Sequence, residues 1–193
     1  MMNLSEEKNN LVRLLDLDPE FLIDLRYATE DNFTKTKVYE SGECYIDRRT
    51  AELLIKAKNL FLQHGYRVKI WDAYRPIHAQ AYFWELVPNP HFVSRPPEVT
   101  ADTVFIPRHI NGMSVDLTLT DMDGNEIIMP TAFDDFSPMA SLHCEELTGE
   151  GRVNGEFLRD IMVEAGFSPD SDEWWHFDDA VHEPVPYLDV KVP

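Results

Sequence analysis

Two short stretches, far apart in the chain, carry the residues best suited to chemistry. The first runs from Arg108 to Leu119 and places His109 and Asp116 in an H-x-x-G-x-x-x-D arrangement. The second is Glu173-Trp174-Trp175-His176. Two imidazoles and one carboxylate suit a zinc ion that keeps its fourth position open for water. Glu173 would then be a spare carboxylate beside that water, which a hydrolytic site needs as a base. Each fragment also has a plain alternative: a surface histidine with a turn aspartate, or an E-x-x-H that is only part of a packed strand.

A third candidate is Arg75, in Asp72-Ala73-Tyr74-Arg75-Pro76, where a strand breaks into a helix. A guanidinium there can face a developing oxyanion, because it stays charged when partly desolvated. The competing role is a structural ion pair with Asp72.

These residues need elements to position them. His109 and Asp116 are an odd number of positions apart, which a continuous strand sends to opposite faces. Gly112 lets the chain turn sharply, so that His109 can fold back over a strand Val115 to Leu119 that presents Asp116. Glu173 and His176 require a bend at the start of the expected strand Trp174 to Phe177, with at least one tryptophan in the core.

Upstream, Phe21 to Tyr27 alternates as a half-buried strand, and Thr29 to Ser41 reads as loop. Asp47 caps a helix to His64, with Leu53, Leu54, Ala57, Leu60 and Phe61 inward and Gly65 at its stop. Arg67 to Tyr74 is a strand, and a helix from Pro76 to Val87 follows. Pro88 to Pro107 contains five prolines and little periodicity, and a loop of that length leading into His109 is expected to be functional or mobile. Asp123-Gly124 turns a hairpin with Glu126 to Met129 as its return strand. Phe133 to Gly149 is irregular, and Asn154 caps a last helix that ends at Gly166. Segregated helices and hairpin strands indicate an α+β fold, with an antiparallel sheet and helices packed to one side. The 193 residues suffice for a single domain, 1–193, with a sizeable core.

Net charge is -18, so nucleic acid and anionic membranes are excluded as natural partners. The segment Met1 to Asn10 lacks the apolar run of a signal peptide, and no stretch approaches a membrane span. Cys44 and Cys144 are too few for a disulfide scaffold. The expectation is a cytoplasmic protein with two free thiols; self-association into a homo-oligomer stays open.

The motifs together resemble one family, the D-alanyl-D-alanine dipeptidases of the VanX type. That family sits in a zinc metallopeptidase superfamily that also holds D,D-carboxypeptidases and peptidoglycan endopeptidases. The likeness spans Tyr27 to Thr34, Trp71 to Pro76, His109 to Leu119, Gly166-Phe167 and Glu173 to Phe177. It implies one Zn2+ per chain on His109, Asp116 and His176. Glu173 matches the base that takes a proton from water and passes it to the leaving amine, and Arg75 the residue that stabilises the transition state. Tyr27 and Asp134 match positions lining the dipeptide site, with Asp134 facing the substrate's ammonium.

This chain departs from the family pattern at Pro107, where a serine is usual, and at Met129-Pro130 in place of Met-Gly. Proline offers neither a hydroxyl nor an N–H to a substrate carboxylate. Arg108, or Arg95 in the preceding loop, then suits that carboxylate; the alternative is that Arg108 points to solvent and offsets part of the net charge. The implied activity is hydrolysis of D-Ala-D-Ala or a close dipeptide. Its rivals are a D,D-carboxypeptidase or endopeptidase acting on peptidoglycan peptides, and a zinc-binding module without catalysis.

Overall fold

The structure is a computed structural model and describes residues 10–192. The amino-terminal segment read above as lacking an export signal lies almost wholly outside these residues.

The described residues open with β1 (Leu11–Arg13), a one-turn helix α1 (Leu14–Leu17) and a two-residue strand β2 (Leu22–Ile23). A 3-10 turn at Arg26–Ala28 precedes β3 (Tyr45–Asp47). The first long helix, α2 (Arg48–Gln63), leads into β4 (Arg67–Asp72), then α3 (Ile77–Leu86). A 3-10 turn at His109–Asn111 introduces β5 (Ser114–Thr120). The last elements are α4 (Gly149–Ala165), β6 (Phe167–Pro169) and β7 (His176–Asp179).

Five strands form the main sheet in the order β2-β4-β5-β7-β6, and β1 with β3 makes a separate ribbon. Every pairing is antiparallel except the short parallel contact of β2 with β4. The central strand is β5, buried along its whole length. Its alternation sorts the residues: Val115, Leu117 and Leu119 join the main core with Val68 and Ile70 of β4, while Ser114, Asp116 and Thr118 occupy the opposite face. Against the core side lie α2, through Ala51, Leu54, Ala57 and Phe61, and α4, through Leu158, Ile161, Met162 and Ala165. These two helices form the helical layer. The third, α3, instead sends Phe83 into a smaller cluster with Tyr27 and Val93.

Several expected elements are redrawn. The alternation from Phe21 to Tyr27 yields only β2, because the chain turns at Arg26–Ala28 and the Tyr27 carbonyl accepts from the N–H groups of Val38 and Tyr39, both at 2.8 Å. The return strand Glu126 to Met129 shrinks to one bridge between Thr120 and Glu126. The last helix begins at Gly149, and Asn154 lies inside it, its amide donating to the Ile128 carbonyl at 2.8 Å. Its glycines are required by contact: a Cβ on Gly151 would meet the Met129 carbonyl oxygen at 2.9 Å, and one on Gly155 the Pro130 ring at 2.8 Å. Asp47 caps α2 as expected, accepting from the Arg49 N–H at 2.9 Å. Both cysteines are free, and no described helix is long and apolar enough to cross a membrane.

Candidate active site

Strand register brings the distant motifs together. On the polar face of the sheet, Asp116 of β5 pairs with Asp72 of β4 on one side and with His176 of β7 on the other. The register of β4 shifts between Ile70 and Asp72, an irregularity that re-aims the strand end. β7 starts at His176, and the His176 N–H closes a turn onto the Glu173 carbonyl at 3.2 Å. That turn is the bend the spacing demanded. Both tryptophans inside it are buried.

His109 arrives from the other direction. Its three-residue 3-10 turn ends at Gly112, whose φ of 72° is left-handed. A Cβ there would lie 2.8 Å from the Asp47 backbone nitrogen, which donates to the Gly112 carbonyl at 2.9 Å. Glycine is therefore required both for conformation and for space.

Three atoms converge. His109 Nε2 lies 3.1 Å from His176 Nδ1 and 3.2 Å from Asp116 Oδ1, and His176 Nδ1 is 3.0 Å from the same oxygen. The outer nitrogens are both occupied as donors: His109 Nδ1 to the Ala73 carbonyl at 2.7 Å, and His176 Nε2 to Asp178 Oδ1 at 3.1 Å. With those protons placed outward, the inner triangle consists of two nitrogen lone pairs and a carboxylate oxygen. Three acceptors this close repel unless a cation or an extra proton sits among them. The edges are within a few tenths of an ångström of the roughly 3.3–3.4 Å spanned by ligands in a tetrahedral zinc site with bonds of about 2.0–2.1 Å. The donor set thus fits a zinc ion, and it is the only such trio among the described residues.

Electrostatics makes the same demand. Burial opposes charge on His176, yet Asp178 and Asp116 push its pKa well above the ordinary histidine value. Burial likewise works to raise the Asp116 pKa, and the two imidazoles hold it far below the usual carboxylate range. Outer partners of this kind orient metal ligands and fix their tautomers.

Arg75 is almost fully buried and makes the ion pair with Asp72 that was weighed for it. Its Nε and one terminal nitrogen bond Asp72 Oδ2 at 3.0 and 2.8 Å, and the other terminal nitrogen bonds Gln80 Oε1 at 2.8 Å. It also stands 3.9 Å from Asp116 Oδ2, its planar head over the rings of Phe83 and Tyr27. Asp72 is saturated, since its other oxygen accepts from the Tyr39 hydroxyl at 2.8 Å and the Ala73 N–H at 3.0 Å.

A cavity of about 170 Å³ opens over the triangle, and Tyr27, Arg75, Arg108, Asp134 and Glu173 all line it. Every sequence-predicted site residue is therefore present except Arg95, which is not on its wall. The Tyr27 hydroxyl donates to Asp134 Oδ1 at 3.0 Å, while buried Asp134 Oδ2 has no partner. Burial, with help from Asp116, raises the Asp134 pKa to about 7 against the lowering effect of that hydroxyl. Glu173 is raised well above its ordinary value, chiefly by burial, with His176 opposing and Asp116 adding to it. The Arg108 guanidinium makes no ion pair among the described residues, and its Nε is buried without a partner. Pro107 sits beside it on the cavity wall.

The family model for D-ala-D-ala dipeptidase, Peptidase_M15, matches residues 7–192. The chain belongs to that family. Its relatives include the D-alanyl-D-alanine dipeptidase of Escherichia coli (strain K12), 31% identical over 89% of this chain and 86% of that one. The enzyme of the same name from Enterococcus faecium is 33% identical over 80% and 83%. That from Enterococcus faecalis (strain ATCC 700802 / V583) is 31% identical over 84% and 87%. A solved LD-carboxypeptidase, LdcB, overlaps at a TM-score of 0.48 with 16% identity, covering 91% of this chain and 70% of its own, a likeness too loose to build on. As a member of this family the protein is a metallopeptidase.

Sequence reasoning passed over the support around this metallopeptidase site. Asp178 holds His176, and Gln80 and Tyr39 complete the shell of Arg75 and Asp72. Asp178 had a readable signal, two positions beyond His176 and so on the same strand face. Tyr39 and Gln80 had none, because only the tertiary fold brings them in.

Proposed function

We propose that this metallopeptidase is a zinc-dependent dipeptidase that hydrolyses D-alanyl-D-alanine or a close dipeptide. The observation that carries the reading is one small cavity whose wall joins the acceptor triangle to a cationic and an acidic side chain, Arg108 and Asp134, each with a buried atom left without a partner, Nε and Oδ2. A free dipeptide is a zwitterion. Its ammonium suits Asp134 Oδ2 and its carboxylate suits the Arg108 fork.

His109, Asp116 and His176 would hold one zinc per chain, which when bound supplies an acidified water and polarises the scissile carbonyl. Glu173, on the same wall, is the general base that takes the water's proton and returns it to the leaving amine. The burial that raises its pKa favours keeping that proton between the two transfers. Arg75, charged and locked by Asp72 and Gln80, faces the developing oxyanion. Asp178 and the Ala73 carbonyl fix the imidazole tautomers.

The test combines metal analysis with amino-acid release from the four stereoisomers of Ala-Ala. About one zinc per chain is expected, with D-Ala-D-Ala cleaved in preference to the others. Full zinc retention in all of His109→Ala, Asp116→Ala and His176→Ala, or no cleavage of the D,D isomer, overturns the reading. Glu173→Gln separates base from ligand: zinc should stay while turnover falls by about a hundredfold or more. Loss of zinc from that variant would make Glu173 a ligand.

A further inference from the structure

Among the described residues beyond β7 there is no helix or strand, yet residues 185–191 are tied down along their length. The Leu188 N–H donates to the Ile110 carbonyl at 2.8 Å. The side-chain amide of Asn111 bridges the Val185 and Ile106 carbonyls at 3.0 and 2.9 Å. The Tyr187 hydroxyl accepts from the Ile106 N–H at 3.3 Å, and its ring meets Phe105 edge to face. These contacts fall on the loop that carries Arg108 and His109.

The same strap also grips the segment on the other side of His109. The Tyr74 hydroxyl accepts from the Val190 N–H at 2.8 Å and has the Leu188 and Val190 carbonyls within 3.1 and 3.2 Å. Tyr74 lies between Ala73, whose carbonyl receives His109 Nδ1–H, and Arg75, whose N–H donates to the His109 carbonyl at 3.0 Å. His78, at the start of α3, pairs with Asp189 at 3.0 Å.

We infer that the strap 185–191 positions His109 for its metal, acting through Tyr74 on one side and the Ile106–Asn111 loop on the other. The loop needs such a device. It follows a segment, residues 87–108, without helix or strand, and its own regular structure is one three-residue turn. A loop so poor in local pairing has low local stability, while a metal ligand must be held closely. Losing outer support of a ligand typically costs about 10–100-fold in metal affinity. The inference rests on the metal-site reading above. Tyr74 is a positioning residue, since it touches neither metal nor substrate.

The experiment uses the full chain with Tyr74→Phe, which removes only the hydroxyl, and separately Tyr187→Ala, on the strap itself. Zinc release into a chromophoric chelator, kcat and KM are measured well below the melting temperature, and the His109 Nδ1–H proton is followed by NMR. Zinc release about tenfold faster is expected, with kcat lowered, KM little changed and the His109 proton exchanging faster. Unchanged release and an unchanged His109 proton in both variants overturn the inference. So does a lower melting temperature with both of those readouts intact, which would make the strap merely structural. If Tyr74→Phe does not fold, Tyr187→Ala decides. A wild-type chain without zinc would instead sink the metal-site reading, leaving the NMR readout to judge the strap.

Discussion

Arg108 and Asp134 each carry a buried polar atom without a partner on the wall of one cavity, and such groups are costly unless a ligand completes them. For Arg108 the prediction compares two substrates. Arg108→Ala should weaken D-Ala-D-Ala more than D-Ala-D-Ala amide, whose carboxyl end is neutral, by about 1.5–3 kcal/mol, the worth of a hydrogen bond to a charged group. Equal losses on both substrates would remove Arg108 from the carboxylate. For Asp134 the prediction concerns pH. Its folded-state pKa of about 7 lies above the roughly 3.9 of an unfolded aspartate. The unfolded chain therefore releases this proton first, and stability falls as pH rises between those values. Asp134→Asn removes that loss. In metal-free protein the variant should gain stability over wild type as pH is raised from about 4 to 7, by about 1–3 kcal/mol, while binding dipeptide poorly. Denaturant titrations across that range check it, and parallel curves for the two proteins would contradict it.

At the scale of elements, the most informative residue is Gly112, which turns the His109 loop back over β5. Ala in a left-handed conformation costs about 1–2 kcal/mol by itself. At Gly112 the added Cβ also meets Leu11 Cδ2 at 2.6 Å and a backbone nitrogen at 2.8 Å. Gly124→Ala is the control, since its φ is 90° but nothing lies within 4 Å. Gly112→Ala should cost clearly more than Gly124→Ala in thermal melts and should weaken zinc; equal costs would show that the close packing at Gly112 is unimportant. Gly112 was legible because an odd separation between two residues that converge on one site requires a turn. The helix α2 was legible too, as its cap, apolar face and glycine stop are all local. The early start of α4 was not, because Gly149, Gly151 and Gly155 are poor helix formers. Gly151 and Gly155 are set by the close approach of Met129 and Pro130, and Gly149 by its left-handed φ of 75°, features that no local pattern reveals. The strand expected from Phe21 to Tyr27 failed for a similar reason: long-range hydrogen bonds at Tyr27 outweigh alternation. The types of His109, Asp116 and His176 single them out as a candidate trio, but the register that gathers them, Asp116 opposite His176, exists only in the assembled sheet.

The whole molecule adds a field to this local design. A net charge of -18 surrounds a cavity that itself carries Asp116, Asp134, Asp170, Glu173 and Asp178 against Arg75 and Arg108. Such a field attracts cations and opposes its own compaction. Both effects are screened by salt, the Debye length shrinking from about 30 Å at 0.01 M to about 8 Å at 0.15 M. They differ in sign, and that makes the prediction sharp. As ionic strength rises over this range, the rate of zinc association with metal-free protein should fall, because long-range attraction is lost. The melting temperature of the same metal-free protein should rise, because self-repulsion is relieved. A zwitterionic dipeptide has no net charge for the field to act on, so kcat/KM for D-Ala-D-Ala on zinc-loaded enzyme should change little. Stopped-flow zinc binding, thermal melts and steady-state kinetics in one salt series measure all three. Zinc association that is independent of salt would show that the cavity's own ligands, not the field of the chain, govern capture of the metal.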